Sequence, residues 1–137
     1  MKILIDTCVI IDALQARKPF NEDAEKVILA VAQNKCEGYI TAKSVTDIYY
    51  LIHRCTHSDS ETRNIISKVL MIINILDTTG IDIKKAMLSE MSDYEDAVMV
   101  ETAVRENVDL IVTRYIKDFV KSKVKVKTPK EFIDNIH

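Results

Sequence analysis

The chain has 137 residues, a formal charge of -2 from 19 basic against 21 acidic side chains, and two glycines. Its length predicts one domain, 1–137, and a composition that is 47% hydrophobic and 29% charged excludes an intrinsically disordered chain. Because Gly38 and Gly80 stand alone, the sequence contains neither a glycine-rich dinucleotide-binding motif nor a P-loop.

Short apolar runs alternate with amphipathic stretches along the chain. The apolar runs predict strands at 3–5, 38–41, 75–76 and 109–113, and the lysine-rich run 121–127 is β-like. Helical spacing and end signals predict helices at 9–16, 21–34, 44–55, 60–73, 80–90, 94–106 and from 128. Asn107 suits a left-handed helix cap. This alternation predicts an α/β domain with a mostly parallel central sheet.

The cysteines and the N-terminus indicate a reducing compartment. The three cysteines are odd in number and have no C-x-x-C spacing, which argues against both a disulfide framework and a zinc site. Asp6 interrupts the apolar start well before it reaches the length of a signal sequence. The longest uncharged apolar stretch, 69–76, is too short to cross a bilayer. We therefore expect a cytoplasmic protein with no membrane partner.

Aspartates fall at the places where an α/β sheet binds its ligands. Ligands of open α/β sheets bind at the carboxyl ends of the strands, where Asp6 and Thr113 end two predicted strands. Asp47, and Asp93 with Asp96, begin two helices that can start beside the same strand ends. Crowded carboxylates repel each other unless a cation neutralises them, and all-oxygen ligand sets suit Mg²⁺ or Mn²⁺. The pattern allows a metal-dependent phosphoryl-transfer enzyme without establishing one.

A purely structural interpretation of the helix-start acids is open as well. Ser44-x-x-Asp47 and Ser92-x-x-Glu95 both match a capping box, in which the acid bonds back to the backbone of the cap residue. Asp93 is also a candidate cap, and acids in a first turn complement the helix dipole. By contrast, Asp6 directly follows three apolar residues at the end of the first predicted strand. Folding alone explains an acid at this position least well.

Several blocks of the sequence together resemble the PIN-domain family. The stretch ILIDTCVIID (3–12) resembles the opening motif, and TAKSVTDI (41–48) resembles the middle acidic helix. SDYEDAV (92–98), followed by DLIVTRYIKDF (109–119), looks like the second half of the pattern. The resemblance implies a three-layer α/β/α sandwich and, in active members, Mg²⁺- or Mn²⁺-dependent ribonuclease activity. Many single-domain members that resemble this chain are VapC-type toxins of toxin–antitoxin pairs, often dimers.

The resemblance also implies site residues by position. It implies metal ligands at four acids: Asp6, Asp47, Asp93 and Asp96. Where the family usually has a fourth Asp or Asn, this chain has Tyr115, so Asp118 is expected to supply that carboxylate and Thr113 to help through its hydroxyl. The catalytic set is then these five aspartates, with one metal or a weaker second site. Cys8 stands where Asn is common, and we interpret it as a small buried residue.

An RNA-binding surface must be local, because the net charge gives no overall attraction for nucleic acid. Thr7, Thr113, Arg114 and Lys117 are the predicted substrate contacts. Four lysines are predicted to share one face of a strand, where they either bind RNA or, more simply, protect a sheet edge: Lys121, Lys123, Lys125 and Lys127. His53, Arg54 and His57 close the helix from Ser44 and complement its dipole.

The apolar helices leave partner contacts open. Tyr49 and Tyr50 are candidates for core, substrate-stacking or dimer contacts, with core or dimer favoured. The broad apolar face of 60–73 suits either the core or an antitoxin segment.

The leading function, which rests on the acidic blocks, is a metal-dependent endoribonuclease toxin. The alternative, motivated by Tyr115 and Asp47 at atypical positions, is a catalytically weakened PIN scaffold that binds RNA or protein.

Overall fold

The computed structural model describes residues 1–136 and confirms the α/β class. Its strands are β1 (Lys2–Ile5), β2 (Glu37–Thr41), β3 (Asn74–Leu76), β4 (Leu110–Val112) and β5 (Lys125–Lys127). Its α-helices are α1 (Thr7–Leu14), α2 (Asn21–Ala32), α3 (Ala42–Thr56), α4 (Asp59–Leu70), α5 (Gly80–Ala86), α6 (Tyr94–Arg105) and α7 (Pro129–Asn135). A 3₁₀ helix, Ile116–Phe119, connects β4 to β5.

The five strands form one parallel sheet in the order β3-β2-β1-β4-β5, with β1 at its centre. Alternate residues of β1 point to opposite faces, as they do in any strand. Ile3 and Ile5 pack in a core with α1, α2, α3, α4 and α7. Leu4 packs on the other face with Met99 and Val100 of α6. Both faces of the sheet are therefore covered by helices, which confirms the three-layer α/β/α sandwich.

The strand register brings several chain ends to one edge of the sheet. Ile5 of β1 lies beside Val112 of β4, and the backbone N–H of Asp6 donates to the Val112 carbonyl at 3.0 Å. Asp6 and Thr113 therefore leave neighbouring strands side by side. Thr41 ends β2 at the same edge, where the chain turns directly into α3.

Helix α3 begins earlier than its sequence predicts. Thr41 is its cap, and the Thr41 hydroxyl accepts from the backbone N–H of Ser44 at 3.1 Å. The capping-box interpretation of Asp47 is therefore wrong, because Asp47 lies more than a turn inside the helix. The basic last turn is confirmed, with His53 and Arg54 before a left-handed His57.

Helix α6 begins where it is predicted to begin, but with a different cap. The Asp93 carboxylate accepts from the backbone N–H of Asp96 at 2.9 Å, so Asp93 caps the helix. The alternative capping box from Ser92 to Glu95 is wrong, since Asp93 holds the position that this box gives to Ser92. The left-handed Asn107 is confirmed, with φ at 56°.

The prediction that four lysines share one strand face is wrong. Strand β5 contains only Lys125 and Lys127 of the four. Lys121 lies before it and pairs with Glu90 at 3.4 Å, and Lys123 pairs with Glu101 at 2.6 Å. The alternation of lysines with apolar residues is typical of a strand, but residues 120–124 form the turn that leads into β5 instead.

Candidate active site

A cavity of about 380 Å³ opens at the carboxyl ends of β1 and β2, between the first turns of α3 and α6. The residues that line it come from four elements: Asp6, Thr7, Thr41, Lys43, Ser44, Asp47, Tyr50, Leu51, Arg54, Glu95, Asp96, Val98 and Met99. The topology thus brings together three of the predicted acids, Asp6, Asp47 and Asp96, from widely separated parts of the sequence.

Asp6 is held in a fixed orientation at the bottom of this site. Its carboxylate accepts from the backbone N–H of Thr7 at 2.8 Å and from the Thr113 hydroxyl at 2.7 Å. Asp6 is 8% exposed and Thr113 is fully buried. Burial raises the pKa of Asp6, while the hydrogen bonds from Thr113, Thr7 and Cys8 lower it in part. Thr7 and Thr113, predicted as substrate contacts, here contact Asp6.

Asp96 faces the same cavity and is crowded by other acids. Burial, and then the negative charges of Asp6, Asp93, Asp118 and Glu95, raise the pKa of Asp96 to about 7. Like charges disfavour ionisation of one another when no cation offsets them. The side chains that raise this pKa thus define an acidic cluster around Asp96. Asp93 contributes to it from the helix cap.

Asp118, a member of the acidic cluster, lies next to Lys117 in the 3₁₀ helix. Together with Tyr115 and Thr128 they line a neighbouring cavity of about 410 Å³. The Tyr115 backbone N–H donates to the Thr113 hydroxyl at 3.1 Å, so the residue at the usual fourth acid position supports Asp6 through its backbone. Asp118 contributes charge to Asp96 from this adjacent cavity.

A lysine that sequence analysis missed spans the mouth of the cavity. The Lys43 ammonium lies 2.7 Å from Asp47 and 3.1 Å from Glu95. The i, i+4 spacing of Lys43 and Asp47 on one helix was a signal for the first contact, whereas the second joins different helices. Asp47 therefore has a neutralising partner within the protein, which Asp6 and Asp96 lack among the ion pairs of residues 1–136.

Arg114, predicted to contact phosphate, is bound to another part of the protein. Its guanidinium donates two hydrogen bonds to the fully buried Asp12, at 2.5 and 3.2 Å. It also lies 4.0 Å from the centre of the Phe20 ring and 4.9 Å from that of Tyr115. These contacts join the loop after β4 to α1, so Arg114 holds the segment that carries Thr113 against the helix that follows Asp6.

Cys8 lies beside the two groups that orient the first acid. Its thiol is 3.6 Å from the Asp6 carboxylate and 3.8 Å from the Thr113 hydroxyl. Burial, and next the charge of Asp6, raise the pKa of Cys8 to about 12. The thiol is thus protonated at neutral pH and acts as a weak hydrogen-bond donor, in a half-buried position.

The carboxylates of the cavity fit a small hard cation only if water and substrate complete its shell. Within residues 1–136, no three Asp, Glu, His or Cys side chains converge closely enough to hold a metal ion by themselves. Mg²⁺ is usually held by one or two carboxylates together with waters and phosphate oxygens. Asp6 and Asp96 supply two such carboxylates in one cavity, and neither forms an ion pair with a basic side chain among residues 1–136.

Other solved structures share this fold. A VapBC2 complex from Rickettsia felis, bound to a DNA fragment from its promoter, contains a chain similar to this one at 13% identity and a TM-score of 0.71, covering 93% of this chain and 98% of that chain. A toxin–antitoxin complex from Klebsiella pneumoniae matches at 22% identity and a TM-score of 0.65, covering 93% and 97%. Mycobacterium tuberculosis VapC20, described as a sarcin-ricin loop cleaving toxin, matches at 10% identity and a TM-score of 0.63, covering 80% and 86%.

Sequence comparison places the chain in a family. No curated protein sequence matches it significantly. In the described part of the chain, no helix has the length and apolarity needed to span a membrane. The family model described as PIN domain, however, matches residues 2–117, which include every acid of the candidate site except Asp118. This match confirms the resemblance seen in the sequence: the chain belongs to the PIN-domain family.

Proposed function

We propose that the chain is a divalent-metal-dependent endoribonuclease and the toxin of a toxin–antitoxin pair. The observation that carries the proposal is the acidic cluster around Asp96. Burial and the charges of the neighbouring acids, Asp6 first among them, raise the pKa of Asp96 to about 7. A protein retains such repulsion where a cation is to bind. Membership of the PIN-domain family supports ribonuclease activity.

In this proposal Asp6 and Asp96 hold Mg²⁺ or Mn²⁺, with Asp93 nearby. The bound ion supplies water activation and stabilises the negative charge of the phosphodiester during hydrolysis. Asp6 is oriented for this task by the Thr113 hydroxyl and the Thr7 backbone. Asp93 caps α6 and so fixes the first turn that carries Asp96. Asp47 lines the same cavity, but its carboxylate is paired with the Lys43 ammonium.

The residues present support one ion better than two. Tyr115 brings no carboxylate to the fourth acid position, and Asp118 lies in the adjacent cavity. Asp47 is neutralised by Lys43. We therefore propose a single ion at Asp6 and Asp96, with Asp118 acting through its charge. Lys117 in the same 3₁₀ helix remains a proposed RNA contact.

The test is RNA cleavage in Mg²⁺ or Mn²⁺ by the wild type and by Asp6→Asn and Asp96→Asn. Loss of a carboxylate ligand should lower the cleavage rate by about 100-fold or more. Asp134→Asn is the matched control, because Asp134 is 58% exposed on α7 and pairs with Lys130 outside the cavity. Full activity in both cavity variants would remove these aspartates from the active site.

Partners are proposed from the structural relatives. The Rickettsia felis and Klebsiella pneumoniae structures are described as VapBC and toxin–antitoxin complexes. We propose an antitoxin protein and a homodimeric state for this chain. A small antitoxin gene beside the coding sequence, and co-purification of its product with the chain at a fixed ratio, would be the expected results. A lone gene whose product causes no growth arrest would contradict the toxin assignment.

A second function has a specific observation in its favour. Lys43 already neutralises Asp47, and Tyr115 replaces the fourth acid, so a scaffold that binds RNA or protein without cleaving is the alternative. Titration calorimetry with Mn²⁺ separates the two functions. Metal binding that is lost in Asp96→Asn favours the nuclease, whereas no metal binding together with intact RNA binding favours the scaffold.

A further inference from the structure

One wall of the active-site cavity is a stripe along α3. Its residues recur at helical spacing and all line the cavity: Lys43, Asp47, Tyr50, Leu51 and Arg54. The first two lie at the acidic cluster, and the last three extend the wall about two turns away from it along the helix. The stripe thus leads outward from the site at which we propose hydrolysis, and the following inference rests on that proposed function.

Tyr50 is the most prominent side chain of this wall. It is 65% exposed, although its neighbour Tyr49 packs against the core. Tyr49 also has polar and aromatic partners, since its hydroxyl donates to Asp59 and its ring stacks on His53. Tyr50 contacts Tyr49 edge to face at 5.2 Å, and no hydrogen bond to its hydroxyl is formed by residues 1–136. Fold stability thus accounts for Tyr49 but not for Tyr50.

Arg54 lies one turn beyond Tyr50 on the same wall. It is exposed, and the described residues form no ion pair with it. Two acids of the same cavity, Asp47 and Glu95, pair with Lys43 instead. A guanidinium without a carboxylate partner, next to an exposed aromatic ring, matches the two chemical parts of a nucleotide.

We propose that Tyr50 and Arg54 form a subsite for the nucleotide next to the cleaved phosphodiester. Tyr50 stacks on the base of that nucleotide, and Arg54 binds its phosphate. The two side chains are about 6 Å apart along the helix axis, so one nucleotide can contact both. Such a subsite accepts an unstacked base, which a duplex does not offer. Stacking on a tyrosine ring tolerates every base, so the subsite favours single-stranded RNA rather than one particular base.

The competing occupant of this wall is a second copy of the chain. An exposed tyrosine also suits a dimer contact. Charge favours RNA here, because the Arg54 guanidinium has no ion-pair partner among the described residues and lines the same cavity as the acids at which we propose the metal ion. A dimer that covered Tyr50 would instead close the cavity mouth.

The experiment measures binding apart from cleavage. A fluorescent single-stranded oligoribonucleotide is titrated into the full chain carrying Asp6→Asn, and anisotropy gives the Kd. Adding Tyr50→Ala should raise the Kd about 5- to 150-fold, the range expected for loss of one base stack, whereas Tyr50→Phe keeps the ring and should raise it less than twofold. Adding Arg54→Ala should raise the Kd and reduce the slope of log Kd against log salt by about 0.7.

Controls and outcomes separate this inference from the proposed function. Lys84→Ala removes an exposed charge on α5, away from the cavity, and should leave the Kd unchanged. An unchanged Kd in Tyr50→Ala and Arg54→Ala would overturn the subsite, even if cleavage by the wild type confirms the nuclease. The reverse result, loss of binding in these variants without any cleavage by the wild type, would support the subsite and contradict the nuclease. Dissociation of a dimer by Tyr50→Ala, with RNA binding per protomer unchanged, would assign Tyr50 to the dimer contact instead.

Discussion

Two buried regions of this protein treat carboxylates in opposite ways. Between α5 and α6, Asp82 is 1% exposed and receives hydrogen bonds from Arg105, from the Thr102 hydroxyl and from the backbone of Thr79, each at about 3 Å. In the candidate active-site cavity, Asp6 is 8% exposed and receives hydrogen bonds only from neutral groups. Both carboxylates are largely shielded from solvent, but Asp6 lies deeper in the protein, and only Asp82 contacts a cation.

The pKa values follow that difference. For Asp82, burial acts to raise the pKa, but the hydrogen bonds from Arg105, Thr79 and Thr102 outweigh it and lower the pKa to about 2. For Asp6 burial prevails and the pKa is raised, and the pKa of Asp96 beside it is raised to about 7. For a carboxylate that only stabilises the fold, the chain itself thus supplies a cationic partner.

The same rule holds for the other buried acids. Of the four carboxylates buried among residues 1–136, Asp12 pairs with Arg114, Asp82 with Arg105 and Glu101 with Lys123. Asp6 is the one of these four without an ion pair in the described structure. A buried carboxylate without an ion pair is costly unless it is protonated or binds a cation, and the proposed metal ion would supply that cation. The comparison therefore supports the proposed site at Asp6 without reference to the family.

The largest effect is expected from breaking a structural pair. Arg105→Ala should lower the free energy of unfolding by about 3 kcal/mol, because it leaves the buried Asp82 without its cation. Urea unfolding at pH 7 measures this value. The control is Arg105→Ala combined with Asp82→Asn, which removes the uncompensated charge and should recover part of the loss. A single variant as stable as the wild type would mean that internal pairing does not distinguish the two regions.

The second largest effect on stability is expected from the proposed divalent cation. A divalent cation at about 100 times its Kd should stabilise the wild type by about 2.7 kcal/mol, because it binds the folded state alone. Asp96→Asn should remove most of this stabilisation, whereas Arg105→Ala should keep it despite its lower stability. Thermal unfolding with and without Mn²⁺ gives both numbers. Equal stabilisation of the wild type and Asp96→Asn would place the cation elsewhere.

The sequence predicts the acids of the cavity much better than it predicts the internal ion pairs. Asp6 and Thr113 follow apolar runs directly, so parallel pairing of those strands was enough to place them together. The partners of Asp12 and Glu101 are far away in sequence and arise from the way helices pack on the sheet, which no local pattern encodes. Arg114 was therefore predicted to contact substrate, although it binds Asp12.

Helix starts show the same division between local and tertiary information. Asp93 was predicted as a cap from its own position and does cap α6. Thr41 was assigned to a strand alone, yet its hydroxyl also caps α3 because β2 runs into this helix without a loop. The contact of Lys43 with Glu95 joins two such starts and exists only because both meet at one sheet edge. The composition of the cavity wall on α3 could have been predicted from helical spacing once α3 was known to face the site.

The third prediction tests the charge of the cavity by pH. The pKa of Asp96 is raised to about 7 in the folded protein from its ordinary 3.8, so the folded state binds the proton more tightly than the unfolded state. The metal-free wild type should therefore lose stability as pH rises from about 4 to about 7. Asp96→Asn should be more stable than the wild type by about 1–2 kcal/mol at pH 8 and equal to it near pH 4, after allowance for solvent screening of a half-buried group. Urea unfolding in chelator measures this, and a pH-independent difference would contradict it.

The smallest effect on stability is expected for an exposed ion pair, because water solvates both side chains when the pair is broken. Lys130 and Asp134 lie 3.0 Å apart on α7, with side chains that are 71% and 58% exposed. Lys130→Ala should change the melting temperature by about 1 °C or less, because an exposed carboxylate regains from solvent what it loses from the lysine. A scan of the wild type and this variant in low and moderate salt measures it. A shift as large as that of Arg105→Ala would show that the need for a partner does not depend on burial, and the contrast that singles out Asp6 would then lose its physical basis.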